Sequence, residues 1–115
     1  MDNGLEIFEH PGNAYEPLVK FGAWRVATAS QSGRWTEKEL TYMERHMETD
    51  EVFVLLKGKC TLIIGDDRSR CEMETGKVYN VKKAVWHNMV IDEEGLVLIV
   101  ENDDTSKENT EYCDF

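Results

Sequence analysis

The chain has 115 residues, room for one domain with a modest core. Its 13 Lys and Arg against 23 Asp and Glu give a formal charge of −10 and a pI near 4.7. Such a surface repels phosphate backbones and anionic headgroups, so no nucleic acid and no membrane is expected as a partner.

Residues 1–20 contain both prolines, Pro11 and Pro17, with Gly4, Gly12 and Asn13, and read as a lead-in with at most one short strand, Leu5 to Phe8. Phe21 to Ser30 alternates as a half-buried strand does, with Trp24, Val26 and Thr28 on one parity and Ala23, Arg25, Ala27 and Ala29 on the other. Ser30 to Gly33 has turn chemistry. Glu37 to Met47 is ambiguous: Leu40, Met43 and Met47 fit a helical stripe, whereas Leu40, Tyr42, Glu44 and His46 share one face of a strand.

From Glu51 onward the signal is β throughout. Glu51 to Ile64 is aliphatic and β-branched with Gly58 in its middle, which predicts two strands joined by a tight bend or one strand with a bulge. Gly65 to Arg68 is a hairpin turn into a strand Ser69 to Met73, and Glu74 to Gly76 is a turn into Lys77 to Val81. Val85 to Ile91 and Leu96 to Val100 are strands joined by Asp92 to Gly95. Short strands at about ten-residue spacing predict an all-β sandwich or small barrel.

The last fifteen residues hold six carboxylates against Lys107, half of the total charge, and read as a solvated acidic tail. The odd cysteine count (Cys60, Cys71, Cys113), the lack of CxxC spacing and the lack of a secretory apolar stretch predict a reduced, cytoplasmic protein. The longest apolar runs, Val52 to Leu56 and Leu96 to Val100, are far below the roughly 20 residues of a membrane span.

Two histidines lie in predicted strands. His46 belongs to Glu44-x-His46-x-Glu48, so an imidazole and carboxylates project from one face about 7 Å apart along the backbone. His87 lies in Val85-x-His87-x-Met89-x-Ile91, a parity that is apolar apart from the imidazole. A buried imidazole needs a partner for each ring nitrogen, and a metal with carboxylate co-ligands is one such partner. A structural hydrogen bond is the other.

These residues fall in a pattern that resembles the cupins, small double-stranded β-helix (jelly-roll) barrels with two short motifs. Glu44-x-His46-x4-Glu51-x6-Gly58 is similar to the first motif, with glutamate at the place of the first histidine. Gly76-x5-Lys82-x-Ala84-x2-His87 is similar to the second, with Lys82, Ala84 and Ile91 at the places of the proline, the second glycine and the terminal asparagine. The resemblance covers about residues 21–100, makes residues 1–115 a single cupin domain, and implies at least partial strand within Glu37 to Met47. It also implies metal ligands at Glu44, His46, Glu51 and His87, and a homodimer.

Two imidazoles and two carboxylates suit a divalent ion such as Fe, Mn, Ni or Zn, and the extra glutamate tilts the set toward ions that accept oxygen ligands. The implied function is chemistry on a small molecule (oxygenation, isomerisation or decarboxylation), with Glu44 or Glu51 as ligand or general base. The alternative is a metal-free cupin that binds or senses a small ligand, with Tyr42, Phe53 and Trp86 as its apolar wall. Trp24, Trp35 and Trp86 are expected to serve packing, Arg45 to be solvated, and Lys82 and Lys83 to form an exposed turn.

Overall fold

The computed structural model describes residues 3–115. Among these residues ten strands form two antiparallel sheets. They are β1 (Tyr15–Phe21), β2 (Trp24–Ser30), β3 (Tyr42–His46), β4 (Glu51–Lys57), β5 (Cys60–Ile64), β6 (Ser69–Glu72), β7 (Val78–Val81), β8 (His87–Ile91), β9 (Leu96–Asn102) and β10 (Thr110–Asp114). One sheet has the order β1-β2-β9-β4-β7 and the other β10-β3-β8-β5-β6. The all-β expectation holds, and apart from the hairpins β1-β2 and β5-β6 successive strands alternate between the sheets as in a jelly roll.

Between the sheets lies the main core, built on Phe53, Leu55, Leu62, Met89, Ile91, Val97 and Ile99. Each such side chain contributes about 2 kcal/mol by leaving water. A smaller cluster of Leu40, Met43 and Ile63, with Trp86 and Val90 against it, covers the outer face of the second sheet. This explains the mixed periodicity of Glu37 to Met47. Residues 36–39 turn, Leu40 and Met43 pack outside, and Tyr42, Glu44 and His46 form the other parity of β3.

Gly58 separates β4 from β5 as a bend between sheets. Its φ is +72°, and a Cβ there would lie 2.4 Å from the Glu94 carbonyl oxygen, so the close backbone approach requires glycine.

Three expectations are corrected at the chain ends. Leu5 to Phe8 forms no strand, and the N-terminal strand is β1 instead, with Pro17 tolerated on this sheet edge at a register shift between Pro17 and Val19. Phe21 closes β1, so the next strand begins only at Trp24. The C-terminal segment is not a free acidic tail. β9 continues to Asn102, and β10 pairs along the whole of β3, from Thr110 opposite His46 to Asp114 opposite Tyr42. Arg45 is likewise held, by Glu111 across the strands and over the Trp86 ring at 4.4 Å. Among the described residues no helix is long and apolar enough to cross a membrane.

Candidate metal centre

Inward-facing stripes on five strands run from apolar residues to ionisable ones. On β4 the stripe is Leu55, Phe53, Glu51; on β8, Ile91, Met89, His87; on β9, Val97, Ile99, Glu101, and all nine are buried. β2 follows with Ala29, Ala27 and Arg25, and β3 contributes Glu44 and His46. The polar ends converge on a cavity of about 200 Å³. Its apolar wall includes Trp35, Phe53, Met89 and Ile99.

Pairing between β3 and β8 sets Glu44 directly opposite His87. The rings of His46 and His87 lie 5.1 Å apart, centroid to centroid. Each ring directs its Nε2 to the same carboxylate oxygen, Glu51 Oε1, at 3.0 Å. Glu44 Oε1 stands 3.7 Å from His46 Nε2. All four expected ligands are therefore brought together, although they come from three strands and two sheets.

Behind the rings, Nδ1 of His87 is 3.0 Å from the Val85 carbonyl and Nδ1 of His46 is 3.0 Å from the Thr110 hydroxyl. A carbonyl only accepts, which assigns a proton to Nδ1 of His87 and leaves Nε2 of the neutral ring as a lone pair aimed at Glu51. Two acceptors at 3.0 Å require a cation between or beside them. That cation is either a proton on the ring or a metal ion.

The charge states follow the same logic. Burial disfavours the charged form of both histidines, but the hydrogen bond and charge of Glu51 outweigh it and raise both pKa values. For Glu51, burial opposes ionisation while the two rings overcome it, so its carboxyl is held well below the usual range. Glu44 is shifted up by burial, offset only in part by the histidines.

The donor set fits a divalent ion. Ligand atoms at about 2.1 Å and right angles around one ion stand about 3 Å apart, the spacing seen between Glu51 Oε1 and each Nε2. Reactive atoms of Glu44, His46 and His87, and again of His46, Glu51 and Glu101, lie within 4.8 Å of one another.

Several cavity residues escaped the sequence reading. Glu101, assigned to the acidic tail, is 6% exposed. Tyr15 Oη donates to its Oε2 at 2.8 Å, and Arg25, its register partner on β2, donates to the same oxygen at 3.1 Å. Arg34, Thr110 and Tyr112 also line the cavity. The findable signal was parity: Val97-x-Ile99-x-Glu101 repeats the form of His87-x-Met89-x-Ile91, an apolar stripe ending in one ionisable group. Of the expected apolar wall, Phe53 lines the cavity, while Tyr42 and Trp86 do not. Among the tryptophans Trp35 is buried and Trp24 is 43% exposed.

No family model and no curated protein matches the sequence. Solved structures do match. A cupin-2 domain protein of Shewanella frigidimarina superposes with a TM-score of 0.62 over 83% of this chain and 84% of its own, at 20% identity. An RmlC-like cupin of Methanocaldococcus jannaschii, with a double-stranded β-helix fold, gives 0.62 over 85% and 90% at 14% identity. This chain has the cupin fold. Pac13 of Streptomyces, described as a nucleoside dehydratase, shares the cupin barrel at a TM-score of 0.66 over 89% of this chain and 80% of its own, with 7% identity. At such identities the likeness concerns the fold alone.

Proposed function

We propose that this cupin binds one divalent metal ion through His46, His87, Glu51 and Glu44 and acts on a small molecule held in the adjoining cavity. The observation that supports it is the 3.0 Å approach of His87 Nε2 to Glu51 Oε1 with the ring proton assigned to Nδ1. A divalent ion at that place supplies Lewis-acid polarisation of a substrate oxygen. Fe, Mn, Ni and Zn are all compatible with the donors.

The two glutamates divide the work by environment. Glu51 is buried and held ionised between the two rings, the condition of a ligand. Glu44, with a side chain 23% exposed and a carboxyl raised by burial, faces the cavity and is the group suited to take or return a substrate proton. The apolar wall of Trp35, Phe53 and Met89 favours a small organic substrate over a bare anion. That Pac13, a nucleoside dehydratase, has this fold is in keeping with small-molecule chemistry on it. A homodimer completes the proposal, supported by exposed Phe21 and Trp24 beside the open edge of β1.

The deciding experiment is elemental analysis of protein purified without a chelating column, alongside His46→Ala and His87→Ala. About one equivalent of metal in the wild type, lost in both variants, is the expected result. Less than about a tenth of an equivalent, with the variants folded as the wild type is, overturns the metal site.

A further inference from the structure

We infer that Glu101 is an additional ligand of the same metal site and biases it toward oxygen-preferring ions. The inference rests on the metal-binding reading above and adds to it a residue outside the cupin motifs.

The evidence is the unequal treatment of its two carboxylate oxygens. Oε2 is fully engaged, accepting hydrogen bonds from Tyr15 Oη at 2.8 Å and Arg25 Nη2 at 3.1 Å. Oε1 is buried and has no hydrogen-bond donor among the described residues. The side chain that carries it is 4% exposed. A buried carboxylate oxygen without a donor costs free energy, and a cation is what satisfies it.

The Glu101 carboxylate is not isolated from the centre. Glu101 shares a cluster with His46 and Glu51 in which the ligating atoms lie within 4.8 Å of one another. The antiparallel pairing of Val52 with Val100 places Glu51 and Glu101 at adjoining positions of β4 and β9. Tyr15 and Arg25 hold one oxygen back, so the other is the one left to bind. They act as positioning residues, in the way outer-shell partners orient a metal-ligating carboxylate.

With Glu101 the donor set becomes two imidazoles and three carboxylates. Carboxylates favour manganese over zinc relative to imidazole-rich sites, so Glu101 should weigh on the ratio of the two affinities. In Glu101→Gln the amide carbonyl is expected to turn to Tyr15 and Arg25, the donors, which leaves an NH₂ group at the place of Oε1. An amide NH₂ does not ligate.

The test measures Mn²⁺ binding by electron paramagnetic resonance of the free ion, and Zn²⁺ binding by competition with a chromophoric chelator. Wild type, Glu101→Gln and Tyr15→Phe are compared, and thermal melting of the metal-free proteins monitors folding. The expected result is a loss of Mn²⁺ affinity of about tenfold or more in Glu101→Gln, with a smaller loss for Zn²⁺. Tyr15→Phe, which keeps the carboxylate but releases it, should move the Mn²⁺ to Zn²⁺ ratio in the same direction and so carries the test if the glutamine variant does not fold. An unchanged ratio in a folded variant, with the wild type binding metal, overturns the role of Glu101 alone. A wild type that binds neither ion overturns the metal site and this inference with it.

Discussion

His87 and Glu51 meet at 3.0 Å, Nε2 to Oε1, inside the barrel, with the histidine's other nitrogen committed to the Val85 carbonyl. Both side chains are almost completely buried. The contact therefore holds only in the company of positive charge.

Replacing Glu51 by glutamine removes the negative charge that faces two buried rings and puts an NH₂ donor at the place of one carboxylate oxygen. Removal of one partner from a buried pair costs about 3 kcal/mol. Urea unfolding of the metal-free Glu51→Gln variant should show a loss of this size, and its metal content should fall with it.

Metal-free protein should lose stability as pH rises. His46 and His87 titrate above the ordinary 6.5 when folded, so their contribution is complete below 6.5 and lost as pH passes through the higher folded values. Glu51 works in the opposite range: its folded value lies below 4.5, so its contribution is present above 4.5 and lost as pH falls through the folded value. Glu44 and Glu101, raised mainly by burial, add to the decline on the alkaline side of 4.5. Unfolding free energy in a chelator should fall as pH rises from about 6 to 8. His46→Ala should flatten that slope.

Thr110 backs His46 at Nδ1 from the C-terminal strand. Thr110→Val keeps the shape and β-branching of the side chain but removes this hydrogen bond. Metal affinity should drop about tenfold while the thermal melting curve of the metal-free protein changes little. Isothermal titration calorimetry reads the difference, and an unchanged affinity would show that β10 only covers the edge of β3.

The two motif glycines should respond unequally to alanine. At Gly58 a Cβ meets the Glu94 carbonyl oxygen at 2.4 Å and the backbone has φ +72°, so Gly58→Ala should cost about 3 kcal/mol. At Gly76 nothing lies within 4 Å and only the positive φ of +88° opposes a side chain, so Gly76→Ala should cost about 1 kcal/mol. Chemical denaturation of the two variants makes the comparison.

Local pattern carried much of this protein. The alternation of Val85 to Ile91, the turn residues at Gly65 to Arg68 and the break at Gly58 are short-range signals, and each corresponds to an observed element because turn chemistry and side-chain parity act within a few residues. The spacing from Glu44 to Gly58 and the position of His87 pointed to four side chains that the barrel does gather. Other features depend on partners remote in the chain. Whether residues 110–114 are tail or strand depends on the free edge of β3, and whether Glu101 is solvated or buried depends on Arg25 and Tyr15, 76 and 86 residues away. Composition saw only acidic residues there. Burial of a carboxylate is decided by the neighbours that tertiary packing supplies, and no window of sequence contains them.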